Sequence, residues 1–275
     1  MNTTTRTTTL ASVLALTFIA ACGKEAPPEA AAEPASSPAV EMTETNLSVY
    51  QAALANGSRP ADDRERDAGR KPSEVLEFMG IVPGMTVLDM FSGSGWYAEV
   101  IAHVVGEEGH VIAHSNEAYK NFVGEALSER FDGVRLNNVE IMMAENNEWS
   151  LEENSLDAVV LAQSFHDIYH VDAENGWKQI DGPAFLAELK KGLKPGGIAA
   201  IIDHAALAGA PPATGESLHR IDPELVVSNM EAAGFIHEAS SDILSNSDDD
   251  LTQMVFAEGI RGKTSRFVMR FRNPE

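Results

Sequence analysis

The sequence predicts an α/β domain built on a doubly wound, mostly parallel seven-stranded sheet with an antiparallel C-terminal hairpin. Three observations predict it. Short apolar runs rich in β-branched residues alternate with helical stretches through most of the chain. The first of these runs, in VLDMFSGSGWYAEV at Val87 to Val100, turns through glycines into a helix. The last two runs follow each other with no strong helix between them, so they should pair antiparallel and leave the sheet mixed at one end.

The elements follow in order. Met1 to Arg6 supply one positive charge, and Leu10 to Ala21 form an apolar run too short to span a bilayer as a mature helix. Residues 1–21 read as a signal peptide. The run ends Ile19-Ala20-Ala21-Cys22, and small residues before a single cysteine resemble a bacterial lipobox, which implies lipidation of Cys22. That is the only cysteine, so no disulfide is expected in the mature chain. Residues 22–46 are Ala, Pro, Glu and Ser with almost nothing large and apolar, the composition of a disordered tether. Residues 47–275 are then one folded domain by length, without internal repeats.

In KPSEVLEFMG, Pro72 suits a first helical position, Val75, Leu76, Phe78 and Met79 give an apolar face, and Gly80 suits a left-handed cap. Strands are expected at Thr86 to Met90, His110 to His114, Val139 to Met143, Leu156 to Gln163 and Ile198 to Asp203. A helix from Leu225 to Ala233, closed by Gly234, leads into the final strands, Phe235 to Leu244 and Arg266 to Arg272. Ligands of such sheets bind at the carboxyl ends of the strands, near the switch point beside the first strand.

The composition, 44% hydrophobic and 23% charged, is that of an ordinary globular core. The formal net charge of −22 argues against nucleic acid and against an anionic membrane surface as partners, since like charges repel. A small-molecule or protein ligand is expected, with membrane attachment through the lipid anchor only; oligomeric state is not legible.

Gly93 and Gly95 permit positive φ and close backbone approach of a ligand to the turn. Three readings compete: an adenosine-containing cofactor, a relaxed dinucleotide fingerprint at Gly93, Gly95 and Ala98, and a tight turn without ligand. The order IVPGMTVLDMFSGSGWY, NSLDAVVLAQSFHDIY, FLAELKKGLKPGGIAAIIDH and a terminal hairpin resembles the class I S-adenosylmethionine-dependent methyltransferases over nearly the whole domain. More narrowly, RPADDRERDAGRKPSEVLEF, RIDPELV and IRGKTSRFVMRF resemble a bacterial family of predicted methyltransferases that carry signal peptides. The resemblance implies a Rossmann-like methyltransferase fold and S-adenosylmethionine as cofactor. It places Asp89, Gly93 and Gly95 around the methionine part, with Phe91 where many relatives have glycine. Ser115 or Asn116 takes the place of the usual ribose-binding acid, Glu145 and Asn146 fall where adenine contacts are expected, and Gln163 ends the fourth strand beside the cofactor.

The chemistry is expected at the ends of strands four and five, in Gln163-Ser164-Phe165-His166-Asp167-Ile168-Tyr169-His170 and Asp203-His204. The segment Ser217 to Asp222, with His219, is expected to fold across them. His166 or Asp167 is the expected base for a proton on the methyl acceptor, with His204 beside them; the competing reading has His166 and Asp167 capping the following helix. A metal reading draws on His166 and His170, four apart, with Asp203, His204 and His219; its spacing across separate loops is weak, and no metal ligand is assigned. Arg59, Arg64, Arg66 and Arg70 suit either a clamp on an anionic substrate group or an exposed paired helix. The resemblance to the narrower family implies function for Arg66, Asp67 and Arg70, and Arg66, Arg70 and His219 are taken as substrate-binding. Gly262-Lys263-Thr264 lacks the leading glycine of a phosphate loop and reads as a turn. Arg261, Lys263, Arg266, Arg270 and Arg272 are read as a largely solvated face. The expected function is therefore methyl transfer from S-adenosylmethionine to a small molecule or protein side chain by a lipid-anchored envelope protein. The alternative is a non-enzymatic, envelope-anchored binding protein that holds another small ligand on the same fold.

Overall fold

The computed structural model describes residues 44–132 and 136–274. The expected signal peptide, Cys22 and most of the expected tether lie outside them. Helix α1 (Glu44–Leu54) begins within the segment read as tether. The arginine-rich stretch after it forms two short helices, α2 (Ala61–Glu65) and α3 (Asp67–Arg70), and α4 (Pro72–Met79) follows with Pro72 in its first turn and Gly80 left-handed at φ 77°.

The sheet then builds as β1 (Thr86–Met90), α5 (Trp96–Val105), β2 (His110–Ser115), α6 (Glu117–Val123), α7 (Ala126–Phe131), β3 (Val139–Met143), β4 (Leu156–Ala162), α8 (Gly182–Gly192) and β5 (Leu193–His204). Two more helices, α9 (Thr214–Leu218) and α10 (Pro223–Ala232), precede β6 (Ile236–Ser241) and β7 (Arg266–Arg272). Among the described residues the strand order is β3-β2-β1-β4-β5-β7-β6. The first five are parallel, and β7 runs antiparallel to both β5 and β6.

Both faces of the sheet are covered, which is why its central strands read as continuous apolar runs. Val87, Val111, Ala158, Val160 and Ala200 point into one core with Leu76 of α4 and Ile101 of α5. Leu88, Val159, Leu161 and Ile201 point into the other, with Leu186 of α8 and Met230 of α10. Parallel pairing puts the carboxyl ends of β1 to β5 at one edge of the domain, where β7 begins.

The differences from expectation are local. β4 stops at Ala162 because Gln163 turns out of the sheet at φ 62°. β6 spans only Ile236–Ser241, since it is an edge strand with a register shift between His237 and Ala239. α10 begins two residues early, where the Asp222 side chain accepts from the Glu224 backbone N–H.

Candidate functional site

The strand ends open into a cavity of about 1080 Å³. That is just above the ~300–1,000 Å³ range usual for ligand pockets. At its floor the turn after β1 runs through two glycines with different duties. Gly93 has φ 57°, and a Cβ added there would meet nothing within 4 Å, so its backbone is bare toward the cavity. Gly95 has φ 77°, but its Cβ would lie 2.6 Å from Phe131 Cε2 and 2.9 Å from Leu127 Cδ1 of α7. Gly95 is thus glycine for helix packing and does not line the cavity, although the sequence suggested a ligand contact.

Asp89 sits beneath Gly93, 1% exposed, with its carboxylate accepting a 2.7 Å bond from the Ser92 hydroxyl. Burial pushes its pKa up to about 7, against the opposing pull of that bond and of Arg70. Phe91 lines the cavity in a left-handed conformation, φ 57°. It stacks on Tyr119 at 5.1 Å and on Phe185 at 5.6 Å, with interplanar angles of 11° and 6°. The favourable ring contacts offset the strain of a bulky residue in that region.

The residues expected to meet ribose and adenine are turned to local structure. Asn116 caps α6 by accepting from the Tyr119 backbone N–H at 2.8 Å and donates to Asn146 Oδ1 at 2.9 Å. Glu145 accepts from the Glu117 backbone N–H at 3.2 Å and pairs with Lys178. Ser115 is buried, and none of these four lines the cavity. Ala118, Tyr119, Asn121 and Phe122 of α6 form that wall instead.

Opposite the turn stand arginines. Arg70 lies over the rings of Trp96 and Tyr97 at 4.5 and 5.3 Å and donates to Gln163 Oε1 at 3.4 Å. Burial lowers its pKa to about 10. It has no carboxylate in ion-pair contact among the described residues, whereas Arg59 makes a two-pronged bond to Asp67 at 2.7 and 2.8 Å. Arg66 lines the mouth and stays half-exposed near Asp63. Arg266 corrects the solvated-face reading: only 6% exposed, it lines the cavity, and its Nη2 donates to the Gly69 carbonyl at 2.6 Å. The antiparallel register sets it opposite His204, a relation that alternation along one strand does not reveal.

The far end is a histidine cluster. Asp203, fully buried at the end of β5, accepts from the His166 backbone N–H at 2.9 Å, from His166 Nδ1 at 2.8 Å and from the His204 backbone N–H at 2.7 Å. His166 Nε2 lies 3.2 Å from His219 Nδ1 and 3.3 Å from Asp167 Oδ1. Tyr119 donates to the other Asp167 oxygen at 2.5 Å. Burial alone would lower the His166 pKa, but Asp203 and Asp167 outweigh it and raise it to about 9. The ring expected to act as base therefore stands protonated at neutral pH. Burial holds His219 and His204 neutral, at about 4 and about 3. His204 is anchored by a 2.7 Å contact from Nδ1 to the Thr264 hydroxyl, so the turn at Gly262-Lys263-Thr264 supports the site without being a phosphate loop.

The segment bearing His219 does cross these strand ends. Arg220, fully buried, fastens it with bonds to both oxygens of Asp249 and to the Ala205 and Gln253 carbonyls. Gly215 of α9 is packed so closely that a Cβ would lie 2.7 Å from the His166 carbonyl oxygen. His219 itself is held at φ 53°, pointing its ring into the cavity. Phe165–Tyr169 form a 3₁₀ turn, so His166 and Asp167 lie inside it and no following helix is theirs to cap.

A profile of the Protein-L-isoaspartate(D-aspartate) O-methyltransferase (PCMT) family matches residues 69–168. The chain is 28% identical over 130 residues to the ubiquinone/menaquinone biosynthesis C-methyltransferase UbiE of Shewanella piezotolerans, covering 47% of this chain and 46% of that one. It thus spans about half the length of the curated relatives it matches. A solved SAM dependent methyltransferase from Aquifex aeolicus superposes with a TM-score of 0.53 at 26% identity, over 78% of this chain and 98% of that one. One from Mesorhizobium loti gives 0.52 at 12% identity over 75% and 99%, a likeness of fold alone.

Strand order, glycine turn and matches together make this a chain of the class I S-adenosylmethionine-dependent methyltransferase superfamily, whose cofactor is S-adenosylmethionine. The residues present suit that cofactor best at its methionine end. Gly93 offers a bare backbone cradle, Asp89 a buried carboxylate, and Arg70 a cation in want of an anion.

Proposed function

We propose that the protein transfers the methyl group of S-adenosylmethionine to a nucleophile of a small molecule or a protein side chain, from a lipid-anchored position in the bacterial cell envelope. One observation supports this above the rest: a single cavity reaches from Asp89 and Gly93 of the glycine turn to His166 and His219 of the histidine cluster. Donor and acceptor can thus lie side by side in one cavity, as an in-line transfer requires.

The bound donor supplies a methyl group on a cationic sulfur, already electrophilic. The chain's own residues hold and align. Asp89 balances positive charge at the methionine end, Arg70 with Gln163 receives its carboxylate, and the α6 wall with Phe91 meets the adenosine part. Arg66 and Arg266 draw an anionic group of the acceptor toward the mouth and side of the cavity. The acceptor's proton leaves at the members of the cluster that are not already protonated, Asp167 or His219. The relatives are named for O-methyl and C-methyl transfer, so neither name is carried to this acceptor.

The test is transfer of label. Donor carrying a radioactive methyl group, incubated with the full chain and a bacterial envelope fraction, should yield a labelled acceptor only when the chain is present, and Gly93→Val should abolish the label. A chain that binds the donor yet labels nothing would favour the non-enzymatic binding protein.

A further inference from the structure

The histidine cluster contains an arrangement that removal of a proton alone does not call for. Asp203 can only accept hydrogen bonds, so its 2.8 Å contact fixes the proton of His166 on Nδ1. In the neutral ring the second nitrogen then turns a lone pair toward the cavity; in the charged ring a proton occupies that position. It meets Asp167 Oδ1 at 3.3 Å and His219 Nδ1 at 3.2 Å, and these three ligand atoms all lie within 4.8 Å of one another. Electron pairs on three side chains converging in that way require a positive charge between them, whether a proton or a metal ion.

The two separations from His166 Nε2, 3.2 and 3.3 Å, are those of a metal's ligands, and the third, within 4.8 Å, closes to that value with a small movement of the His219 ring. Bonds of about 2.0–2.1 Å in a tetrahedron place neighbouring ligand atoms about 3.3 Å apart. Two imidazoles and one carboxylate form a donor set for a borderline transition cation rather than for magnesium or calcium, which prefer all-oxygen sites. The surrounding groups also match. Asp203 orients the His166 ring through its remote nitrogen, and Tyr119 donates to the remote oxygen of Asp167, as outer-shell partners of metal ligands do. His219 is held in a left-handed backbone conformation that aims its ring inward. All three residues line the cavity, so a fourth position would face the ligand space.

We propose that His166 Nε2, Asp167 Oδ1 and His219 Nδ1 form a binding site for one divalent transition-metal cation, zinc on this geometry, with an open position toward the cavity. The trio differs from the grouping the sequence suggested. Asp167 replaces His170 and His204 as a ligand, and Asp203 orients rather than binds. A cation there polarises whatever oxygen or nitrogen occupies the open position. The site shares residues with the cluster to which the methyl-transfer reading gives the acceptor's proton, a role the bound cation would take over, and its test needs no donor.

The experiment is calorimetric titration of the purified full chain, stripped with chelator, with zinc chloride and separately with manganese and magnesium chlorides. The expected result is one equivalent of zinc with micromolar or tighter affinity, manganese weaker and magnesium undetected. His219→Ala and Asp167→Asn should each weaken zinc at least about 100-fold, and Asp203→Asn by about 10–100-fold. His237→Gln, on the outer edge strand, should change nothing. Circular dichroism and thermal melts establish that each variant is folded, and His219→Ala, on the covering segment, is the least disruptive of them. Failure of the folded wild-type chain to bind zinc, or binding that survives in folded His219→Ala and Asp167→Asn, would overturn the site. Donor binding is measured separately and does not bear on either outcome.

Discussion

Asp89 carries the clearest conflict between stability and use. Its folded pKa, about 7, lies above the ordinary carboxylate value of 3.8, so its contribution to stability is full below 3.8 and is lost as pH rises through 7. Above neutrality the molecule holds an ionised carboxylate away from water, and a cationic ligand relieves that cost. Asp89→Asn should therefore stabilise the ligand-free protein at pH 8 by on the order of 1–3 kcal/mol, less at pH 5 and not at all below pH 3.8. The same change should weaken donor binding, and wild-type affinity should rise between pH 6 and pH 8 where the variant's stays flat. Melting curves and titrations at the two ends of that range decide it. Destabilisation by Asp89→Asn at pH 8 would mean that the carboxylate is satisfied by the fold itself. Asp89 and Gly93 were legible because a strand followed by a glycine turn has few other uses. Tyr119 and Arg266 were not: one reaches Asp167 across 48 residues, and the other meets His204 only through antiparallel register.

The glycine turn and α7 form one packed element, and the two glycines separate its duties. Gly95→Ala must fit a Cβ against Phe131, Leu127 and Arg130 at a left-handed backbone position, so it should cost about 2–4 kcal/mol. Gly93→Val meets open space and should cost only about 1–2 kcal/mol while blocking the cavity floor. Chemical denaturation of both variants checks the contrast; equal losses would mean that the turn and α7 are not docked as described. The sequence cannot distinguish two glycines at positive φ, since what sets them apart is a helix placed about thirty residues later. It did place β1 and β7 at their observed bounds, and it missed the ends of β4 and β6, where an edge position or a single left-handed residue decides.

For the molecule as a whole, the buried pair of Arg220 and Asp249 ties the segment carrying His219 to the long connection before β7. Both side chains are fully buried, so Arg220→Ala leaves a carboxylate unpaired inside the protein and should cost about 3–5 kcal/mol. A loss near zero would show that the two segments are not fixed to one another. The proposed attachment to the envelope belongs to the same scale. Cys22→Ser should move the chain from the membrane fraction to the soluble one, and retention at the membrane would contradict a lipid anchor. No helix among the described residues is long and apolar enough to cross a membrane. The central claim is that this fold keeps a working donor pocket, although the residues after β2 and β3 have turned to capping and pairing. Calorimetric titration of the full chain with S-adenosylmethionine, and separately with S-adenosylhomocysteine, tests it most directly. The account predicts one site per chain with micromolar affinity for both, lost in folded Gly93→Val. A folded wild-type chain that binds neither would contradict it.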